Sequence, residues 1–382
     1  MRDLKRLTRP MLRLLGRDDR GVVGILVGVL VGGGVLLGMG ALVVDVGQIY
    51  AERAQLQSGA DAGALAVAKS CVQGYCSPVT AVATAQSYAD ANANDGASAI
   101  NLLCGADGLG DCPQSTGQLT DCPGAPAPDA NYVDVHTATR TASGSSLLPP
   151  VFAKTLLGNQ DYNGTTVFAC AQAEWGAPKA ASGMALTVSA CEWDKATNDG
   201  ILFAQPPPYP PNVIPDASFD QVLKLHTSSA VTSTCPTEPA GSDGPGMFGW
   251  TSDPADNCLT GVIGGSYGVK TGIGVPTACK SVLSSAQANR TLVYLPIYTV
   301  ASGNGQGSGS YTLKGFAAFV ITGYSFPGFF ASDWLNPAND CSGSDKCING
   351  YFTHGLIPID QLPNGGTLGG TDLGADIIKL TG

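Results

Sequence analysis

The sequence predicts an α+β fold: a single N-terminal transmembrane helix that continues into a helical hairpin, followed by a β-rich, disulfide-containing ectodomain. Three observations carry this. Residues Gly21–Val44 read GVVGILVGVLVGGGVLLGMGALVV, with no charged, histidine or amide side chain. All twelve cysteines lie beyond that run. Past residue 130, apolar residues recur as short β-branched and aromatic runs between Gly- and Pro-rich joints, the pattern of strands and turns.

The apolar run comes first in the argument. At 1.5 Å per residue it spans roughly 36 Å, enough to cross a hydrocarbon core of about 30 Å with some tilt. Residues 1–20 set its direction: seven basic residues stand against three acidic ones, a net +4, while the chain as a whole is −10 and residues 21–382 therefore −14. Lys and Arg on one short flank hold that flank in the cytoplasm, so residues 45–382 face outward. A secretory signal peptide has a shorter apolar core and a small-residue cleavage site, so the segment reads as a retained anchor. Gly24, Gly28 and Gly32 recur every fourth residue and open a groove for close approach of another helix, a second copy included. Asp45, at the membrane edge, reads either as an intramembrane acid with a functional partner or as a headgroup-zone residue.

Residues 45–70 contain no proline and continue the helix, with Asp45, Gln48, Glu52 and Gln55 on one wet face and alanines from 60 to 68 offering a smooth packing surface. Ser77 and Pro78 start a second helix that stops at Asp95-Gly96. Residues 45–95 thus read as a helical hairpin, with Cys71 and Cys76 at its turn. From 97 to 130 the chain is polar, Gly/Pro-rich and holds three cysteines, which suggests a stapled loop. A strand at 132–139, a short helix over 147–157 and a strand at 165–175 complete a pilin-like α/β module over 96–178. Gly176, Ala177 and Pro178 mark a boundary, and a second, β-rich module is expected over 183–382. Its strand candidates are 184–190, 291–300, 311–325, 350–359 and 375–380, with the glycine-rich 303–310 as a hairpin loop.

Twelve exported cysteines, Cys71, Cys76, Cys104, Cys112, Cys122, Cys170, Cys191, Cys235, Cys258, Cys279, Cys341 and Cys347, read as up to six disulfides of undetermined pairing. Close C-x-x-C pairs, which a metal site would use, are absent, and no metal or cofactor is expected. The acidic balance outside the membrane argues against nucleic-acid binding. Gly303, Gly305, Gly307 and Gly309 precede a strand, not a helix, which removes the phosphate-loop reading. His136, His226 and His354 belong to no recognisable catalytic signature, so no enzyme is expected. Asp194, Asn198, Asp199 and Gly200 depart from calcium-loop spacing and read as a turn. Asn163 and Asn289 begin glycosylation acceptor patterns.

Residues 19–68 carry a resemblance. Arg20-Gly21 precedes the apolar run, and Val44-Asp45-Val46-Gly47-Gln48-Ile49-Tyr50 follows it. Arg53, Leu56 and Gln57 then form R-x-x-L-Q, and Ala60-Asp61-Ala62-Gly63-Ala64-Leu65-Ala66 closes the segment. Together these resemble the N-terminal segment of TadE/TadG-like proteins of the Flp (Tad) pilus-assembly system. SACEW at 189–193 and GFAAFVITGY at 315–324 are similar to TadG-like proteins of Gram-positive actinobacteria. The resemblance implies a single-pass envelope protein that assembles or anchors Flp-type pili, or a minor pilin-like protein, with other pilus-assembly membrane proteins and the lipid bilayer as partners. Relatives processed as prepilins carry Glu five residues after the cleavage glycine. Here Gly16 is followed at that distance by Gly21, and Gly21 by Leu26, so an uncleaved chain is expected. The alternative is a signal-anchored surface adhesin or ligand-binding ectodomain.

Overall fold

A computed structural model describes residues 4–106, 108–113, 122, 126, 130–156, 161–211, 213–224, 248–262, 265–270, 274–302, 309–339 and 346–382. Two compact units divide the chain. The first comprises 1–60, 86–101 and 136–170, the second 61–85, 102–135 and 171–382.

In the first unit, helix α1 (Leu4–Val72) enters with bare apolar flanks: Val23, Ile25, Leu26, Val27, Val29 and Val31 are each more than half exposed. It is long and apolar enough to cross a membrane, and none of its most apolar window is buried. Beyond Asp45 the pattern changes. Ile49 and Leu56, seven residues apart on one helical face, pack with Leu148, Val167 and Ala169. Helix α2 (Pro78–Asn92) lies against α1 where both are small: a Cβ on Gly59 would come within 3.0 Å of the Ala89 Cα. The turn after α2 is tied by Asp90, which accepts from the Ser98 amide and hydroxyl at 2.8 and 2.7 Å. Strand β1 (Ser98–Gly105) follows, then β2 (Asn131–Thr139). β1 occupies the start of the stretch expected to be loop; its irregular burial gives no clean alternation to read. Helix α3 (Ala153–Leu156) starts later than the expected 147, because Pro149 and Pro150 keep the residues before them extended; residues 157–160 lie outside those described. Leu148 instead bridges Thr165 as extended chain ahead of β3 (Phe168–Gly176).

The second unit begins with the other half of the helix pair, where a Cβ on Gly63 would sit 3.4 Å from the Ala85 Cα and a Cys71–Cys76 disulfide closes the turn. Downstream run β4 (Ala181–Met184), β5 (Leu186–Ser189), helix α4 (Ala190–Thr197), β6 (Gln221–Lys224), β7 (Phe248–Trp250), β8 (Leu259–Val262), β9 (Ser266–Gly268) and helix α5 (Thr277–Asn289). Then come β10 (Leu292–Ser302), β11 (Ser310–Phe326), β12 (Phe329–Ala331), β13 (Cys347–Thr353), β14 (Gly355–Leu356), β15 (Thr371–Asp372) and β16 (Ala375–Leu380). The main sheet has the order β6-β13-β11-β10-β5-β7, with β9, β12 and β15 also on β11. β10 and β11 pair antiparallel from Leu292↔Val320 to Ser302↔Ser310, so the glycine-rich joint does connect a hairpin, although residues 303–308 lie outside those described. From Phe316 to Tyr324, β11 is buried at every position, as a central strand covered on both faces must be. One cover is α5, whose Cys279, Leu283 and Ala286 are buried. The C-terminal β16 pairs antiparallel with β3, Ile377↔Gly176 through Leu380↔Ala173, and a smaller sheet runs β1-β2-β3-β16-β14.

Candidate functional site

The candidate site begins at the bare face of α1. Nothing lies within 4 Å of where a Cβ would stand on Gly24, Gly28 or Gly32, so the glycine row is backbone open to whatever surrounds the helix. One residue past the apolar run, Asp45 has taken a specific partner. Its Oδ1 accepts from the Val151 amide at 2.7 Å and the Phe152 amide at 3.0 Å; its Oδ2 accepts from Phe152 at 3.1 Å and from the Ala153 amide. The Val151 and Phe152 amides lead into α3 and the Ala153 amide opens it, where the first N–H groups have no acceptor within the helix. A carboxylate there satisfies them and suits the positive end of the peptide dipoles. Asp45 is therefore an N-terminal cap supplied from more than a hundred residues upstream, and it fixes the 147–153 segment to the end of the apolar run.

Lower on the same helix the contacts are those of a docked domain. Gln57 Nε2 donates to the Cys170 carbonyl at 2.8 Å, and Thr137 Oγ1 donates to the Leu56 carbonyl at 3.0 Å. The Asn94 amide donates to Gln55 Oε1 at 2.8 Å. Burial raises the Glu52 carboxyl pKa, opposed by a hydrogen bond from Thr139.

The described cysteines are spent on cross-links. Cys71–Cys76, Cys104–Cys112 and Cys258–Cys279 are disulfides, and Cys122, Cys170, Cys191 and Cys347 are also disulfide-bonded. Cys235 and Cys341 lie outside the described residues. Cys104 Sγ comes within 4.8 Å of the Asp134 carboxylate, the nearest approach to a metal site among the described residues, but its sulfur is bonded to Cys112 and cannot serve as a thiolate. Asp134 is buried, with a pKa raised to about 6 by desolvation against a hydrogen bond from Gln172.

Other chemistry-bearing residues have packing or ion-pair partners. His354 packs on the Phe203 ring at 4.1 Å between centroids, and burial lowers its pKa against the opposing pull of Asp372. Burial likewise lowers that of His136; His226 lies outside the described residues. Asp194 pairs with Lys314 at 2.9 Å, and Asn198, Asp199 and Gly200 turn left-handed after α4, so this stretch is a helix end. Sequence reading missed α4 itself, although Ser189 and Glu192 form the first half of a capping box: the Ser189 hydroxyl accepts from the Glu192 amide. A cavity of about 450 Å³ between α5 and β10 is lined by Ser281, Ser285, Thr291, Tyr294 and Gln361 among others, with no histidine or carboxylate in its wall.

Comparison with known families bears on α1 alone. Residues 22–70 match the model of the Tad family, described as Flp pilus-assembly TadE/G-like. The chain carries a TadE/G-like segment. That segment holds the glycine row, Asp45 and the Gly59 contact with α2, and it supports involvement in Flp pilus assembly and interaction with other pilus components. No curated protein and no solved structure matches the chain.

Proposed function

We propose that this protein is a membrane-anchored component of Flp-type pilus assembly, TadG-like or minor pilin-like, with a structural and not a catalytic role. The observation that carries the reading is the coincidence of the TadE/G-like match, residues 22–70, with a helix whose apolar half has no protein cover. On this reading residues 1–20 are a cytoplasmic basic segment and 21–44 cross the bilayer once. Residues 45–95 form the hairpin, 96–178 a pilin-like module and 183–382 a β-rich module, all on the far side. Partner helices, a second copy among them, dock on Gly24, Gly28 and Gly32, where close backbone approach supplies the attraction that lipid does not.

Two measurements test it together. Protease added outside spheroplasts should degrade residues beyond 45 while an N-terminal tag survives; a degraded tag would reverse the orientation. Deleting the gene should abolish or shorten Flp-type pili. Intact pili with lost surface adherence would favour the adhesin instead.

A further inference from the structure

The segment that Asp45 holds has a composition out of keeping with water. Between Arg140 and Lys154 there is no ionisable side chain, and Leu147-Leu148-Pro149-Pro150-Val151-Phe152 is an unbroken apolar run. Its side chains divide. Leu148 turns inward onto Leu56, Val167 and Ala169, whereas Val151 is 53% exposed, Phe152 43% and Leu147 37%. An exposed apolar cluster on an otherwise anchored loop marks a contact surface for a non-aqueous neighbour. Its position names one. Asp45 follows Val44, the last residue of the apolar helix, and its carboxylate is 2.7 Å from the Val151 amide. The tip therefore stands at the level where the apolar belt of α1 ends, and its surface continues that belt sideways. Lys154, immediately beyond, has the length and charge to reach phosphate headgroups.

We propose that residues 147–152 are a second membrane contact: an apolar loop, latched to Asp45, whose Leu147, Val151 and Phe152 side chains enter the bilayer interface beside α1. This rests on the reading of α1 as membrane-spanning. A transmembrane helix alone leaves its ectodomain free to swivel on one axis; a loop seated in the interface adds a second point and fixes the orientation of the domain against the membrane. That matters for a protein that must present a surface to an assembling fibre.

The test uses the full chain in phosphatidylcholine vesicles, either unbrominated or brominated near the headgroup end of the acyl chains, which quench only neighbouring indoles. Three substitutions are compared against the parent emission of its four native tryptophans: Phe152→Trp, Val29→Trp on the exposed face of the apolar helix, and Tyr88→Trp. Tyr88 adjoins Ala89, which faces Gly59, about 21 Å along α1 from Asp45. The added emission of F152W should be largely lost in brominated vesicles, and that of Y88W should be unchanged. V29W, read with lipid brominated nearer the chain ends, should be quenched. F152W unquenched while V29W is quenched overturns this inference and leaves the anchor intact. V29W unquenched overturns the anchor and the inference together. Quenching of Y88W equal to that of F152W also overturns it, because the contact would then not be local to the loop.

Discussion

Gly59 on α1 and Ala89 on α2 are in backbone contact: a single added methyl at Gly59 would come within 3.0 Å of the Ala89 Cα and 3.3 Å of its carbonyl oxygen. The alanine run that follows in the sequence extends this closeness, with Ala60, Ala64, Ala85 and Ala89 all but fully buried. The helices approach this closely because at both Gly59 and Gly63 a glycine of α1 faces an alanine of α2. Gly59→Val should therefore force them apart and destabilise the domain by about 1–3 kcal/mol, the usual range for overpacking. Gly47→Ala, at an exposed helical position with nothing within 4 Å, should do the reverse by roughly 0.5–1 kcal/mol through helix propensity. Urea titration of the detergent-solubilised protein reads both; equal effects would show that the seam is not tightly packed.

The Asp45 latch predicts a local effect. Asp45→Ala removes the acceptor for three consecutive amides, and loss of a cap typically amounts to about 0.5–2 kcal/mol. Hydrogen exchange at Val151, Phe152 and Ala153 should accelerate several-fold, with the amides of β11 unaffected. Asp45→Asn, which keeps an acceptor and loses the charge, should fall between.

Asp134 predicts a pH dependence. It is buried, and its Oδ1 has no partner among the described residues. Its folded-state pKa of about 6 stands above the ordinary 3.8, so between those values the folded state holds a proton that the unfolded chain has released. Stability from this group is then highest below about pH 4 and declines as pH rises to about 6, by up to roughly 3 kcal/mol at 1.36 kcal/mol per pH unit. Asp134→Asn should raise the melting temperature at pH 7.5 and lose that advantage at pH 3.5. A gain that persists at pH 3.5 would point to packing, not charge.

The parts of this fold that could be read in the sequence are those with strong one-dimensional signals. A charge-free run marks α1, and unbroken β-branched and aromatic runs mark β10, β11 and β16. Helix α5 escaped because its sequence is mostly small and polar; only Cys279, Leu283 and Ala286, at helical spacing, carry its buried face. The pairing of β16 with β3 joins residues some two hundred positions apart and leaves no local trace. Asp45 was identifiable as the first acid after the apolar run. Its partners were not, because they are backbone amides, which every residue but proline possesses.

Among the cross-links, Cys258–Cys279 closes the longer loop, with a separation of 21 residues against 5 for Cys71–Cys76. Both sulfurs are fully buried beside Leu283 and Met184. The loop-entropy argument gives about 3 kcal/mol for the first and about 2 for the second. Replacing Cys258 and Cys279 together by alanine should lower the denaturation midpoint more than replacing Cys71 and Cys76. The opposite order would mean that the helix turn, not the sheet module, limits stability.

The glycine row makes the last prediction. Gly28 stands open on the apolar helix, with Gly24 and Gly32 one turn to either side, so a side chain placed there meets nothing within this chain. Gly28→Ile should leave folding and insertion intact, since it makes the segment more apolar. Its consequence falls on a neighbouring helix, which could no longer bring its backbone close. Val29→Ile, on an adjacent face already bearing a branched side chain, is the control. Disulfide-independent crosslinking in membranes, or a membrane two-hybrid assay against itself and against other pilus-assembly helices, should show weaker association for Gly28→Ile alone. Equal association for the two variants would make the glycines incidental and the helix an anchor only.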